Sequence, residues 1–280
     1  STLTDPSLNF VGDETTVAGV VPTYTLSGGA ISAGANVNGT DVDFNLGTIM
    51  NTDNDANFEY IVIEFNALIR NETANIRGSI LSNTFSTLIN GSAISGTTSG
   101  SSSVTVQEPV VSISKVVTTA PVDAGDAVAY TITLTNTSGS NVASGFDWNF
   151  TDNLNTHLQF DSISNISIPG YATLDSSATS GQNVSVVISR INPGDSVSFR
   201  VNAIVRDSAP ANFIVPNTGN VTTTTLPGSN GTTVNSTGSS TPGATGTATG
   251  EESFSGNSSA NTTLGTPSID KQSPVAGVEY

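Results

Sequence analysis

The sequence contains no cysteine and very few basic residues: its 280 residues include 7 Lys and Arg, 1 His, 1 Met and 1 Trp. Without cysteine, neither disulfide bonds nor thiolate metal ligands can stabilise the fold, so any covalent cross-link must use other side chains. No run of about 18 apolar residues is present to cross a membrane, and the first residues lack the basic start and apolar core of a signal peptide. The length suffices for about two domains.

Acidic residues outnumber basic ones by 23 to 7, which gives a formal net charge of −16. This charge repels nucleic acids and anionic lipid headgroups, so we expect no nucleic-acid partner and no membrane insertion. Cations are the natural counterpart of such a surface. The same charge is also sufficient to keep an exposed protein soluble without any specific partner.

The residue types that carry most hydrolytic chemistry are nearly absent. The single histidine, His157, lies in a predicted loop, where such a residue is typically solvated, and neither a cysteine nucleophile nor a G-x-S-x-G motif occurs. Trp148 and Phe150 alternate in the sequence FDWNF and are predicted to be core residues, not a sugar-stacking platform. The sequence therefore predicts a protein that is not an enzyme and requires no cofactor.

Alternating apolar and polar residues predict β-strands along the chain. In 126–136, DAVAYTITLTN, every second residue from Val128 to Leu134 is apolar or aromatic, and 196–205, SVSFRVNAIV, has the same period. The preceding NPGD, 192–195, is typical of a type II turn with Gly194 at the position of positive φ. Because no segment shows a helical period over ten or more residues, we predict an all-β protein built of sandwiches.

Two stretches between the predicted strands are rich in Ser, Thr and Gly. The longer covers 226–267 and the shorter 89–103. Composition alone indicates flexible linkers, although polar strands with small side chains fit the longer stretch equally well.

Internal similarity indicates a repeated unit. The sequence EFNALIRN, 64–71, matches RVNAIVRD, 200–207, and SNTF, 82–85, matches PNTG, 216–219, at nearly the same offset. The segments around Lys115 and Lys271 also correspond, since SISKVV and SIDKQS each precede a Pro-Val-containing stretch. We therefore expect four regions: a β-sandwich repeat lacking its first strands at 1–109, a complete repeat at 110–225, a linker or polar strands at 226–267, and the opening strand of a further repeat at 268–280.

The ordered series of motifs in 110–225 resembles the cell-surface repeat known as domain of unknown function eleven. The motifs are ISK, GDAVAYTITLTN, FTDNL, NPGDSVSFRVNAIV and PNTGNVT, and the resemblance extends less completely to 1–88. That family is similar to fimbrial domains that form internal isopeptide bonds, and it recurs in secreted bacterial and archaeal surface proteins. The resemblance implies tandem immunoglobulin-like β-sandwiches and an extracellular location.

The same resemblance implies a self-cross-link in the second repeat. It places the amine on Lys115, the proton-relaying acid on Asp152 and the amide on Asn217. In this chemistry an uncharged lysine amine attacks an asparagine carbonyl and releases ammonia, and burial favours the neutral amine and the protonated acid. The alternative is that Lys115 reaches solvent from an edge strand, Asp152 caps a turn and Asn217 bonds the backbone.

The chain ends suggest a second cross-link between copies. Residues 268–280 carry an opening strand, whereas residue 1 enters a repeat that lacks one, so Lys271 of one copy would meet Asp5 and Asn83 of the next, head to tail. Alternatively, neighbouring repeats of a longer polypeptide supply the missing strands.

An acidic cluster in 51–59, NTDNDANFE, is a candidate calcium site. Asp53, Asp55 and Glu59 offer the oxygen ligands that calcium prefers, but the spacing is not that of an EF-hand, and a solvated acidic turn explains it as well.

Asn-X-Ser/Thr triplets leave glycosylation as a further hypothesis, although a composition this rich in Asn, Ser and Thr produces most of them by chance. The asparagines are Asn38, Asn71, Asn90, Asn136, Asn149, Asn165, Asn183, Asn220, Asn230, Asn235, Asn257 and Asn261.

These patterns give two functional hypotheses. The first is a structural repeat of an extracellular stalk, filament, sheath or surface layer, whose partners are copies of itself or neighbouring repeats. The second is an adhesin module that binds glycan, a mineral or an ice surface through Ser/Thr-rich faces, with calcium as a possible requirement.

Overall fold

The computed structural model describes residues 3–11, 15–17, 23–27, 41–46, 49–51, 56, 60–67, 69, 75–94, 101–118, 122–228 and 254–265. The ordered elements in these ranges are strands, and the predicted all-β class is confirmed. No helix in these ranges is long and apolar enough to cross a membrane. The chain forms two compact units, a first unit of Ser1–Gln107 with Leu226–Glu252 and a second unit of Glu108–Thr225 with Ser253–Tyr280.

In the first unit, the described strands form antiparallel pairs: β1 with β6, β2 with β5, β3 with β4, β7 with β10 and β8 with β9. Their bounds are β1 Leu3–Val11, β2 Thr15–Val17, β3 Thr23–Ser27, β4 Asp41–Asn45, β5 Ile49–Asn51, β6 Tyr60–Ala67, β7 Ile80–Asn83, β8 Leu88–Ile89, β9 Ser92–Ala93 and β10 Ser102–Thr105. The sandwich predicted for 1–109 stays a prediction.

The second unit is a β-sandwich with a four-stranded sheet in the order β11-β12-β17-β14 and a five-stranded sheet in the order β15-β16-β13-β19-β20; β18 pairs with β21 beside them. The bounds are β11 Val111–Val117, β12 Ala127–Asn136, β13 Gly145–Asn153, β14 Leu158–Ser167, β15 Leu174–Ser180, β16 Asn183–Ile191, β17 Ser196–Val205, β18 Ile214–Val215, β19 Thr218–Thr224, β20 Phe254–Ser259 and β21 Thr262–Thr263.

The core of the second unit lies between these two sheets, and the predicted alternation accounts for it. Val128, Tyr130, Ile132 and Leu134 of β12 are buried, and the apolar residues of β17 follow the same period. Because successive side chains on a strand point to opposite faces, this period places one complete face of each strand in the core. The predicted core position of Trp148 is confirmed, since its side chain is buried in β13.

The predicted NPGD turn forms between β16 and β17. The Asp195 backbone amide donates to the Asn192 carbonyl at 3.0 Å, and Gly194 has φ of 85°. Since glycine adopts positive φ without steric cost, this residue permits the tight reversal that sets the register of β17.

The second unit extends beyond the predicted repeat of 110–225. Strand β20, from within the polar stretch 226–267, pairs with β19 along the edge of the five-stranded sheet, and Thr262 and Leu264 are buried. Composition does not reveal this strand, because most residues of β20, FSGNSS, are small and polar. The packing against β11 is close, since a Cβ at Gly256 would lie only 3.3 Å from Ile113 and Val111. Within this stretch the structure describes two short strands, β20 and β21, and the choice between linker and polar strands for 226–267 as a whole stays a prediction.

Replacing Leu264 with alanine is expected to destabilise the second unit by about 2–5 kcal/mol, because it removes a buried side chain from the core. The unfolding can be followed by tryptophan fluorescence in urea, since Trp148, the chain's 1 tryptophan, lies in this core. The control Ile166→Ala, at a side chain that is 42% exposed, should change stability by less than about 0.5 kcal/mol. Equal effects of the two substitutions would show that residues 254–265 do not belong to this core.

Candidate cross-linking site

Lys115, Asp152 and Asn217 meet inside the second unit. The Lys115 Nζ lies 2.6 Å from the Asp152 Oδ2, and the Asn217 Nδ2 donates to the same oxygen at 3.3 Å. The side chains of Lys115 and Asp152 are wholly buried, and Asn217 is buried as well. The structure thus brings together the three residues that the sequence resemblance selects.

The strands explain this convergence. Lys115 lies in the middle of β11, where it faces inward while its neighbours Ser114 and Val116 are exposed. Asp152 lies on β13 and pairs with Gly219, two residues after Asn217. Since β11 belongs to one sheet and both β13 and β19 to the other, the cluster connects the two sheets.

Gly219 makes room for the cluster. A Cβ at this position would lie 2.5 Å from a ring carbon of Phe150 and 3.7 Å from the Lys115 Cδ. The first distance is shorter than Cβ contacts in folded proteins, so a larger residue would displace the aromatic ring or the strand. The PNTG motif of the sequence therefore contains both the amide and the glycine that allows the Phe150 ring to pack beside it.

Two further residues line the site, and sequence reasoning missed their role. The Lys115 Nζ lies 4.8 Å from the centre of the Tyr130 ring, a distance at which cation and ring attract each other. The Tyr130 hydroxyl and the Thr262 Oγ1 are 2.8 Å apart and share a hydrogen bond. Tyr130 was recognisable only as an inward-facing core residue, and Thr262 gave no signal within the Ser/Thr-rich stretch.

Burial shifts the pKa values of the ionisable groups in the cluster. Burial lowers the pKa of Lys115 and raises the pKa of Asp152, and in each case the attraction between the two groups opposes the shift only in part. Both shifts favour the neutral amine and the neutral acid over the ion pair. Burial also raises the pKa of Tyr130, so its phenol stays protonated.

Two oxygens of the cluster have no hydrogen-bond donor among the described residues. They are the Asp152 Oδ1 and the Asn217 Oδ1, and both are buried. A buried acceptor without a donor costs free energy, and a proton on the Asp152 carboxyl supplies a donor where donors are lacking. The neutral state of the acid thus agrees with both the hydrogen bonding and the burial.

The alternative expectation for these three residues does not fit the described geometry. Lys115 does lie on an edge strand, but its amine faces the core and does not reach solvent. Asp152 lies within β13 rather than at a turn, and the Asn217 side chain bonds the Asp152 carboxyl. Formation of the covalent bond itself stays a prediction.

The other predicted site residues are not assembled in the part of the chain that is described. Asp53, Asp55, Glu59 and Lys271 lie outside the described residues, and Asp5 lies on β1 in a range without described side chains. Asn83 is exposed at the end of β7, where its strand partner is Ser102 of the same chain. The described residues contain no group of three or more side chains suited to a metal, and calcium and the head-to-tail contact stay predictions.

His157 is less exposed than the sequence predicts. It lies in the predicted loop before β14, but it is only half-exposed, and its ring packs edge-on against Phe213 with centroids 5.1 Å apart. The ring thus covers apolar surface at one end of the sandwich and is not simply solvated.

The structure also restricts glycosylation. Asn136 is wholly buried, and its side chain accepts from the Val110 amide and donates to the carbonyls of Ala143 and Ile191. This triplet is therefore inaccessible in the folded chain, whereas Asn220 and Asn257 are exposed.

Removing the lysine should make the stability of the second unit fall as the pH rises. In Lys115→Met, the Asp152 carboxyl keeps the burial that raises its pKa above the ordinary value of 3.8 and loses its cation. A raised pKa contributes stability that is complete below the pKa of the unfolded chain and is lost as the pH rises towards the pKa of the folded chain.

We therefore expect the free energy of unfolding of Lys115→Met, relative to Lys115→Met/Asp152→Asn, to fall by up to about 1.4 kcal/mol per pH unit above pH 3.8. Neither variant can form the cross-link, so urea unfolding between pH 4 and about pH 8 isolates the carboxyl. Parallel pH profiles for the two variants would contradict the burial of an unpaired acid at this position.

The chain was compared with family models, curated proteins and solved structures, and similarity was found to solved structures. No protein-family model and no curated protein matches the chain. Solved structures that are similar include domains D2 and D3 of the major pilin SpaD from Corynebacterium diphtheriae, at 19% identity and a TM-score of 0.33 over 41% of this chain and 46% of that chain. Full-length SpaD gives 11% identity and a TM-score of 0.39 over 82% and 52%.

The Actinomyces fimbrial adhesin FimA gives 17% identity and a TM-score of 0.33 over 52% of this chain and 54% of that chain. The alignments thus span about half the length of these solved chains. Because the TM-scores lie below 0.5, the fold assignment rests on the sheets of this chain itself. Membership of the domain-of-unknown-function-eleven family stays a prediction.

Proposed function

We propose that this chain is a structural unit of an extracellular filament, stalk, sheath or surface layer, and that its second unit is reinforced by an isopeptide bond between Lys115 and Asn217. One observation carries the proposal: the Lys115–Asp152–Asn217 cluster is buried between the two sheets of a chain without cysteine. Its geometry is suited to joining the first long strand of the sandwich to the last strand before the polar stretch.

The reaction needs no reagent beyond the three side chains. A proton moves from the Lys115 ammonium to the Asp152 carboxylate, across the 2.6 Å contact, and leaves a neutral amine beside a neutral acid. The amine nitrogen attacks the Asn217 Cγ while Asp152 polarises the amide, a new Nζ–Cγ bond forms and the Cγ–Nδ2 bond breaks. The amine gives up one hydrogen, which leaves with the amide nitrogen as ammonia, and Asp152 keeps the proton it took from the ammonium and ends as the neutral acid.

The bond would stabilise the unit in two ways. It closes a loop of 102 residues (217 − 115 = 102). By analogy with a disulfide loop, it would add about 4–5 kcal/mol to the free energy of unfolding. It also gives a pulling force a covalent path between β11 and β19, which matters in a protein that transmits tension along its length.

The adhesin hypothesis has less support from the outer face of the four-stranded sheet. On the outer side of the four-stranded sheet, the hydroxyls of Thr135 and Ser196 bond each other at 2.7 Å, and the Asn202 side chain donates to Ser162 and Ser164. These polar groups satisfy one another within the sheet, which favours a structural role for this face. Binding of glycan or a solid surface stays a prediction.

Formation of the bond should lower the intact mass of the chain by about 17 Da, since ammonia is expelled. We expect the loss in the wild type and in Asn220→Ala, whose exposed side chain lies on β19 three residues after Asn217. We expect no loss in Lys115→Met, Asp152→Ala or Asn217→Ala. Peptide mapping should recover Lys115 and Asn217 in one branched peptide. A wild-type mass equal to the sequence mass would refute the cross-link.

Mechanical unfolding offers a second measurement. When the full chain is stretched by its ends, the bond should prevent the 102-residue loop from extending. At the reach of an extended chain, the unfolding of the second unit should then release roughly 350 Å less contour length in the wild type than in Asn217→Ala. Equal contour lengths in an optical-trap measurement would show that no covalent path connects the two residues.

A further inference from the structure

We propose that Phe254–Leu264, hereafter the closing segment, completes the cross-linking site, with Tyr130 and Thr262 as positioning residues. The inference rests on the proposed cross-link and adds its dependence on a distant part of the chain. Residues 225–253 separate the closing segment from β19, so the reacting residues and the segment that covers them come from two regions of the sequence.

The closing segment contacts the backbone of both reacting residues. The Lys115 backbone amide donates to the Ser258 Oγ at 3.0 Å, and the Ala260 amide donates to the Asn217 carbonyl at 2.9 Å. The hydroxyls of Thr218 and Ser259 also lie 2.7 Å apart. The segment therefore fixes the amine-bearing strand and the amide-bearing residue relative to each other.

Its side chains reach the reacting atoms through Tyr130. Thr262 is buried and shares a hydrogen bond with the Tyr130 hydroxyl, and the ring of that tyrosine lies 4.8 Å from the Lys115 Nζ. With the hydroxyl held at one end, the ring is kept beside the amine. Since a displacement of about 1 Å can slow a positioned reaction by a factor of about one hundred, this contact is expected to affect the rate.

The closing segment packs closely at both ends. A Cβ added at Gly256 would lie 3.3 Å from Ile113 and from Val111 of β11, and Leu264 enters the core. The Leu264 amide donates to the Phe213 carbonyl at 2.9 Å. Close docking is thus favoured by a glycine near one end of the segment and an apolar residue at the other.

The chemical consequence is the exclusion of water. The reaction needs an uncharged amine beside an uncharged acid, and burial is the first cause of both pKa shifts that favour this state. The closing segment covers the free edge of β19 and lies along β11, so it contributes directly to that burial. Docking of the segment would therefore activate the cross-link.

The first experiment follows newly purified full chain by intact-mass spectrometry and measures the rate at which it loses about 17 Da, the mass of one ammonia per bond. Thr262→Val and Tyr130→Phe should slow the loss about tenfold to a hundredfold, and Thr262→Ser should restore it, because serine retains the hydroxyl. The matched control is Thr263→Val, whose exposed side chain is the next along the strand and should leave the rate unchanged. A wild-type rate in Thr262→Val would overturn the positioning role.

A second experiment separates the closing segment from the cross-link. In an Asn217→Ala background, where the bond cannot form, Lys115 is mapped after brief treatment with an amine-acylating reagent. Gly256→Val should raise the acylation of Lys115 at least about tenfold, because it prevents docking and exposes the amine to water and reagent. Thr263→Val in the same background should leave it protected, and circular dichroism with Trp148 fluorescence verifies that both variants are folded.

The two proposals fail in distinguishable ways. An unshifted wild-type mass refutes the isopeptide bond, whatever the acylation result. Acylation of Lys115 that is the same with and without Gly256→Val refutes the closing segment as the cover of the site, even when the wild type is cross-linked.

Discussion

The second unit depends on one physical constraint: it must hold a lysine and an aspartate side by side in its interior. Removing both charges from water costs several kcal/mol per ion unless the groups pair, bond further partners or become neutral. The surroundings of Lys115 and Asp152 supply all three conditions. The two groups are in contact at 2.6 Å, the Asn217 amide bonds the carboxyl, and burial shifts both pKa values in the direction that favours the neutral forms. The ring of Tyr130 lies 4.8 Å from the Lys115 Nζ, and Gly219 leaves room for the ring of Phe150 beside the cluster.

The sequence patterns predicted the parts of the fold that depend on strand periodicity. The apolar faces of β12 and β17, the turn at Gly194 and the core position of Trp148 follow from a period of two and from glycine's access to positive φ. The cluster was predicted by resemblance only, because its members are 37 and 65 residues apart in sequence and no local pattern relates them.

Other features could not be predicted because they depend on fit and not on hydrophobicity. Strand β20 packs a glycine and a half-buried serine against β11, and such residues have the composition of a linker. The role of Thr262 depends on a partner 132 residues earlier in the chain. His157 has a covered ring because Phe213 reaches it from another loop, which is a tertiary contact without a sequence signature.

The place of β20 at the edge of its sheet also bears on solubility. Without it, β19 would present a row of unpaired backbone amides and carbonyls, and such an edge is a template for pairing with another chain. Because β20 is polar and its outward residues are Ser255, Asn257 and Ser259, it replaces that edge with one of small hydrophilic side chains, including the exposed amide of Asn257. A stretch with the composition of a spacer thus protects the second unit from edge-to-edge pairing with other chains.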